Sequence, residues 1–348
     1  MNQSPVLIPL GGFLGAGKTT LILAASRVLS ARGLKAAAIL NDQGSELVDA
    51  RRVEETGIDA DQVIGGCFCC RFSGLIEAIE RVCVHEPAVI FAEAVGSCTD
   101  ISATTLRPLR VDYPELVRLA PFSVLVDPER ARQLTGRDAD ANLAFLFRSQ
   151  MEEADLICVT KSDLYDELPQ FDVTPTRYMS PLTGVGVEAW LDEVLAGQIE
   201  PGAKTLDIDY QRYARAEASL AWLNCSISVK LNPPLSPANL VGPLVDGLDA
   251  ALTAAELGIV HLKLIDQSAA GYLKVSLTKN GAEPGVDGTL DASPAAVHEL
   301  LLNVRATGQP SLLRQVIELQ MARIPGELKV RTMQCFSPAA PKPERRYA

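Results

Sequence analysis

Nowhere in these 348 residues does an apolar run approach the roughly 20 residues that a membrane-spanning helix needs. Positive charge is also short: 32 Lys and Arg stand against 43 Asp and Glu, for a net −11. That sign argues against a nucleic-acid surface. The opening MNQSPVLIPLGG has no basic stretch ahead of its apolar residues and runs straight into glycines. It reads as a first strand, not a secretory signal. No internal repeat is visible. These absences leave the cytoplasm as the expected compartment, with neither nucleic acid nor membrane as a partner. Cysteine is sparse too, at eight residues, yet VIGGCFCCRF crowds Cys67, Cys69 and Cys70 into four positions. In a reducing compartment cysteines stay thiols, and clustered ones are more often metal ligands or redox groups than disulfides.

The composition is that of a folded chain, 47% apolar and 22% charged, and its length favours two domains. Over the first 198 residues apolar strands alternate with helical stretches. VLIPL, KAAAIL, DQVIG, AVIFAEA, FSVLVD and DLICVT read as strands, the continuous apolar ones buried on both faces of a parallel sheet. Lys18 to Leu29 reads as a helix closed by Gly33. Another is expected from Ser73 as its cap, with Leu75, Ile76, Ile79, Val82 and Cys83 on one face. This is an α/β pattern with ligand loops at the strand carboxyl ends.

Residues 199–216 are polar and marked by Gly and Pro, a linker candidate. From 217 to 336 the period changes. Leu223, Cys225, Ile227, Val229 and Leu231 alternate with polar residues, as in a half-buried strand. The order β-α-β-β…α-β predicts a ferredoxin-like α+β domain. Residues 337–348, rich in proline, are expected to form a mobile tail.

Gly12-x4-Gly17-Lys18-Thr19, in GGFLGAGKTT, is a full Walker A loop in its required strand–loop–helix context. Backbone N–H groups of Gly12, Gly15, Ala16, Gly17 and Thr20 would close on phosphate oxygens at the N-terminus of the helix. Lys18 would reach the β and γ phosphates, and the Thr19 hydroxyl would bind Mg²⁺. VIFAEAVG ends a buried strand in Glu93-x-x-Gly96, placing Glu93 to hold Mg²⁺ or its water and Gly96 beside the γ-phosphate. Asp42, in ILNDQG, is a further metal or catalytic candidate, although Asp before Gly44 is also an ordinary turn former. Lys18, Glu93 and Asp42 are therefore the expected catalytic groups.

The base is set by LICVTKSDL. Thr160, Lys161 and Asp163 match the guanine box, in which the Asp carboxylate accepts from guanine N1–H and the 2-amino group. Adenine offers no such donor pair and would leave Asp163 unmatched, so GTP is the expected nucleotide. Ser180, in YMSPLTGVG, occupies the small-residue place of a second base-contacting loop.

The motif order GGFLGAGKTT, NDQG, GGCFCC, EAVGSCTD, TKSD and SPLTG resembles the CobW/HypB/UreG family of P-loop GTPases, most of all its CobW-type branch, which carries Cys-x-Cys-Cys between the second and third motifs. The resemblance implies a P-loop GTPase domain that uses nucleotide state to deliver a transition metal to a client protein. No residue stands out to orient the attacking water, so intrinsic hydrolysis is expected to be slow and to be raised by a homodimer or a client. The chain departs from many relatives in having no histidine-rich stretch, only His85, His261 and His298, so bulk metal storage is not implied.

The residues themselves support a soft-metal site. Thiolates suit Zn²⁺, with Co²⁺, Ni²⁺ and Fe²⁺ as alternatives, and three thiolates leave one position open. Asp42, Glu46 or Cys98 could fill it. Nearby helix and loop N–H groups are expected to favour the thiolate form. Redox-active thiols and simple packing are the competing readings of the triplet. Two rival functions follow: a GTPase chaperone for a cofactor-dependent (corrinoid) enzyme with regulatory thiols, and a GTP or metal sensor that barely hydrolyses. Cys83, Cys158 and Cys225 fall on apolar faces and read as core.

Overall fold

The computed structural model describes residues 4–43, 53, 57–171 and 174–347. The described residues up to Ala216, together with Ala340 onward, form one compact unit, and Glu217–Ala339 form a second.

The first unit is a parallel sheet in the order β3-β2-β4-β1-β6-β7-β8, with β5 pairing β1. Its strands are β1 (Val6–Gly12), β2 (Ala36–Asp42), β3 (Asp59–Ile64), β4 (Val89–Glu93), β5 (Arg118–Leu119), β6 (Ser123–Val126), β7 (Leu156–Val159) and β8 (Thr176–Tyr178). These strands pair in parallel, and the central ones are buried on both faces, as their unbroken apolar runs require. Helices α1 (Lys18–Ala31), α2 (Phe72–Cys83), α3 (Arg107–Asp112), α4 (Pro128–Thr135), α5 (Ala141–Glu153) and α6 (Val187–Leu195) follow in chain order. β1 has β4 on one side and β6 on the other, so the crevice at its carboxyl end is the switch point where such sheets bind ligands.

Three local expectations are corrected. Ser73 does not cap α2, which begins at Phe72 with Arg71 as its cap residue; the Ser73 N–H and hydroxyl instead donate to Glu344. The linker candidate holds a helix, α7 (Tyr210–Ala218), with Tyr213 fully buried. The expected mobile tail is docked. Arg345 pairs with Asp112 and lies over the rings of Phe72 and Tyr113, while Arg346 Nε donates to Asp100 at 2.9 Å. The Tyr347 N–H donates to the Ala103 carbonyl at 2.8 Å. Two adjacent arginines facing two fixed carboxylates offset the ordering entropy that a proline-rich end would otherwise keep.

The second unit is an antiparallel sheet in the order β12-β11-β10-β13-β9-β14. It comprises β9 (Leu220–Leu235), α8 (Pro237–Ala254), β10 (Ile259–Ser268), β11 (Gly271–Leu277), β12 (Gly285–Gly288), β13 (Ala295–Thr307), α9 (Pro310–Met321) and β14 (Glu327–Phe336). Without β11 and β12 the order is that of a ferredoxin-like β-α-β-β-α-β fold; those two strands are an added hairpin on one edge. Leu223, Cys225, Ile227 and Val229 face a core shared with Leu240, Leu244 and Leu248 of α8 and Ile317 of α9. The alternation correctly marks a strand, but Leu220–Ile227 is buried on both faces rather than one.

Candidate functional site

The loop between β1 and α1 has to turn within five residues. Gly12 adopts φ 126, and a Cβ there would stand 2.3 Å from the Leu125 carbonyl oxygen of β6, so only glycine fits. Lys18 opens α1 and is nearly buried, and its ammonium donates to the Gly12 carbonyl at 2.9 Å. The Thr19 hydroxyl donates to Glu93 Oε2 at 2.9 Å, and Lys18 Nζ lies 3.9 Å from Glu93 Oε1. Glu93 reaches them because β4 pairs directly with β1, Leu10 opposite Glu93. Thus Gly12, Lys18, Thr19 and Glu93 meet at one point. Gly96 packs so closely on the loop that a Cβ would meet Leu14 Cδ2 at 2.8 Å. These residues can cradle a phosphate chain and its divalent cation.

The guanine-box residues lie at the end of β7. Thr160 Oγ1 donates to the Ala16 carbonyl at 2.8 Å, which fastens this loop to the P-loop. Lys161 takes a left-handed φ of 53, and its ammonium pairs with Asp127, the residue that caps α4. The Ser162 N–H donates to the Met179 carbonyl at 3.2 Å, bringing in the loop with Ser180, whose own N–H bonds the Val185 carbonyl. Asp163 is exposed, as a base-reading carboxylate needs to be. Asp127 was not singled out from sequence; its position just before Pro128, an N-cap followed by Pro, was the available signal.

The three cysteines fold into one turn, in which the N–H groups of Cys70 and Arg71 both donate to the Cys67 carbonyl. Their sulfurs all lie within 4.8 Å of one another. Cys67 and Cys69 Sγ stand 2.8 Å apart, Cys69 and Cys70 3.7 Å apart, and Cys69 and Cys98 3.9 Å apart. Cys67, Cys69 and Cys98 are buried, and Cys70 is half-buried. The tail crosses this turn: the Lys342 N–H donates to Cys70 Sγ at 3.1 Å and the Glu344 N–H to the Cys69 carbonyl at 2.9 Å.

Asn41 is what holds the turn, and sequence reasoning passed over it for its neighbour Asp42. Its Nδ2 donates to the carbonyls of Val63 and Gly66 at 2.8 and 2.7 Å, and its Oδ1 accepts from the Phe68 N–H at 2.8 Å. The signal was there: an amide at the carboxyl end of a buried strand has to find both donors and acceptors. Asp42 is half-buried at the end of β2. Glu46 lies outside the described residues.

The expected thiolate bias does not hold at Cys69 or Cys70; the Lys342 N–H favours the Cys70 thiolate but is outweighed. Hydrogen bonding shared with Cys67, Cys70 and Cys98, reinforced by burial, raises the Cys69 thiol well above its ordinary value. Cys70 is raised as well, first through Cys67. Cys69 and Cys70 therefore favour the protonated form, and an incoming metal has to release those protons.

Residues 6–178 match the family model described as CobW/HypB/UreG, nucleotide-binding domain. A zinc chaperone CobW of Pseudomonas aeruginosa is 28% identical over 198 residues, covering 48% of this chain and 51% of that protein. Urease accessory protein UreG of Ureaplasma parvum is 36% identical over 122 residues, covering 32% and 57%. The matched stretches thus span about half the length of these relatives. Among solved structures, nickel-complexed HypB of Helicobacter pylori aligns at 16% identity and TM-score 0.41, covering 56% of this chain and 87% of its own. Zn(II)-bound YjiA GTPase of E. coli aligns at 14% identity and TM-score 0.33, covering 92% and 99%. Through its first unit the chain belongs to the CobW/HypB/UreG family.

Proposed function

We propose that this protein is a Mg²⁺-dependent GTP-binding and GTP-hydrolysing metallochaperone, which holds one Zn²⁺-like ion on Cys67, Cys69 and Cys70 and delivers it to a client metalloprotein. The observation that supports the reading is that Glu93, which bonds Thr19, and Cys98, which meets Cys69, follow the same strand. β4 brings Glu93 to Thr19 and Lys18, and five residues later brings Cys98 to 3.9 Å from Cys69. Any shift of that loop with the γ-phosphate therefore reaches the thiols.

In this reading Lys18 and the P-loop N–H groups bind the phosphates, and the Thr19 hydroxyl and the Glu93 carboxylate, now bonded to each other, would hold Mg²⁺ or its water and so neutralise phosphate charge. Asp163 and Lys161 read guanine, with Thr160 and Ser180 shaping the base loops. Hydrolysis is attack of water on the γ-phosphate, with the charge held by loop and cation. Soft thiolates fit Zn²⁺, Co²⁺, Ni²⁺ or Fe²⁺. Steady-state phosphate release from GTP, with and without metal, tests the enzymatic half. Lys18→Ala should abolish turnover and leave the fold intact, while equal turnover by the variant would remove Lys18 from the mechanism.

A further inference from the structure

We propose that Cys98 is the fourth sulfur of the metal site, so that Cys67, Cys69, Cys70 and Cys98 together hold one soft divalent ion. The proposal rests on the metal reading above and names the ligand that reading leaves open.

Tetrahedral geometry supplies the first argument. With metal–sulfur bonds of about 2.3 Å, two thiolates on one ion stand ~3.8 Å apart. The Cys69–Cys70 and Cys69–Cys98 separations, 3.7 and 3.9 Å, already have that length. Cys67, at 2.8 Å from Cys69, would have to swing outward by about 1 Å on binding, a small side-chain rotation. Cys98 thus meets Cys69 at ligand spacing, and on binding it would close on Cys67 and Cys70, whose sulfurs already lie within 4.8 Å of Cys69 and of each other.

The second argument is how Cys98 is held. Its N–H donates to the Val95 carbonyl at 2.9 Å. Gln150 Nε2, almost fully buried, donates to the carbonyls of Gly96 and Cys98 at 3.0 and 2.9 Å. The backbone is fixed on both sides, and the side chain is aimed at Cys69 from a segment separate from the cysteine turn.

Tyr213 gives the third. Its hydroxyl accepts the Thr99 N–H at 3.0 Å and lies 3.5 Å from Cys98 Sγ. With its oxygen already accepting, its single proton is directed at the sulfur. A metal-bound thiolate has no proton of its own and takes such a donor, as ligands with outer-shell partners do. Tyr213 and Cys98 are 1% and 3% exposed, so water does not compete for that bond. A hard carboxylate such as Asp42 is the poorer match for an ion already on three sulfurs.

Cys98 sits two residues past Gly96, on the loop that the γ-phosphate would engage. Drawing this loop away would remove one ligand of four, changing a closed site into a three-thiolate site able to hand its ion on.

Co²⁺ titration of the full-length protein, read by the intensity of the sulfur-to-cobalt charge-transfer band, counts the thiolates. Cys98→Ser should lower that intensity by about one quarter and weaken chelator-competed affinity at least tenfold. Tyr213→Phe should keep the intensity and weaken affinity less. Should Cys98→Ser fold poorly, X-ray absorption of the Zn²⁺-loaded wild type decides, with four sulfurs expected near 2.3 Å. A Cys98→Ser spectrum that superimposes on wild type, or a shell of three sulfurs plus one light atom, would overturn the proposal while leaving the three-thiolate reading standing. If Cys67, Cys69 and Cys70 changed together to Ser leave the binding unaltered, the metal reading fails as well.

Discussion

Glu153 should make the stability of the first unit fall as pH rises through neutrality. Its carboxyl is fully buried at the end of α5, where it accepts from Thr99 Oγ1 at 2.9 Å and from the Ser102 N–H at 3.1 Å. Burial outweighs these bonds and pushes its pKa up to about 8, from an ordinary 4.5. Between those values the native state keeps a proton that the unfolded chain has released. The group's contribution is therefore fully present below about pH 4.5 and is lost progressively up to about pH 8, at ~1.4 kcal/mol per pH unit. The whole interval is worth up to ~5 kcal/mol, a large share of a domain's stability. Glu153→Gln removes the titration and keeps the bonding: the amide oxygen can accept from Ser102 and the amide nitrogen can donate to Thr99. Urea unfolding should be followed through buried Trp190 in a Trp222→Phe background, since Trp222 belongs to the second unit. From pH 5.5 to 7.5 the wild type should lose ~1.4 kcal/mol per pH unit relative to Glu153→Gln, levelling off above pH 8. Parallel pH profiles for the two proteins would mean that Glu153 does not hold a proton the unfolded chain releases.

Asp163→Asn should weaken GTP binding at least tenfold and relax selection toward xanthine nucleotides, read by competition against a fluorescent analogue; a wild type that prefers ATP would undo the guanine assignment. Asn41→Ala removes two donors and one acceptor that hold the cysteine turn, at a cost of about 1–3 kcal/mol. It should lower metal affinity in chelator competition while sparing GTP affinity, and an equal loss of both would show that Asn41 acts on the whole fold. Removing residues 340–348 should accelerate amide exchange across residues 67–73, because the Glu344 carboxylate and the Lys342 N–H no longer brace the turn. Unchanged exchange would mean that the docked tail contributes nothing there.

Much of the first unit was legible because its signals are local. Unbroken apolar runs mark strands covered on both faces, and the glycine spacing of the P-loop answers to one backbone conformation. What escaped depends on partners distant in sequence. Ser73 satisfies the local rule for a helix cap, but Glu344 supplies an acceptor 271 positions away. The tail's prolines and charges look like a solvated end until Asp100 and Asp112 are placed opposite its arginines. Asn41 lay beside the more obvious Asp42, and its role appears only once Val63, Gly66 and Phe68 converge on it. The expected thiolate bias failed for a similar reason. Spacing brings the cysteines together, but burial and shared hydrogen bonds, invisible in the spacing, decide which state is favoured. In the second unit the alternation found β9, whereas its burial on both faces is set by residues on other elements.

The proposed function requires that thiol-bound metal and guanine nucleotide be linked, and that linkage is measurable. It is tested most directly by competitive chelator titration of Zn²⁺ on wild type and on the variant with Cys67, Cys69 and Cys70 changed to Ser. Each protein is titrated without nucleotide, with GDP and with a non-hydrolysable GTP analogue. The prediction is about one ion per wild-type chain, none held tightly by the variant, and wild-type affinities separated by nucleotide state by roughly 5- to 150-fold, the range of ordinary allosteric coupling. Superimposed curves for the two proteins, or for the three nucleotide conditions, would contradict it.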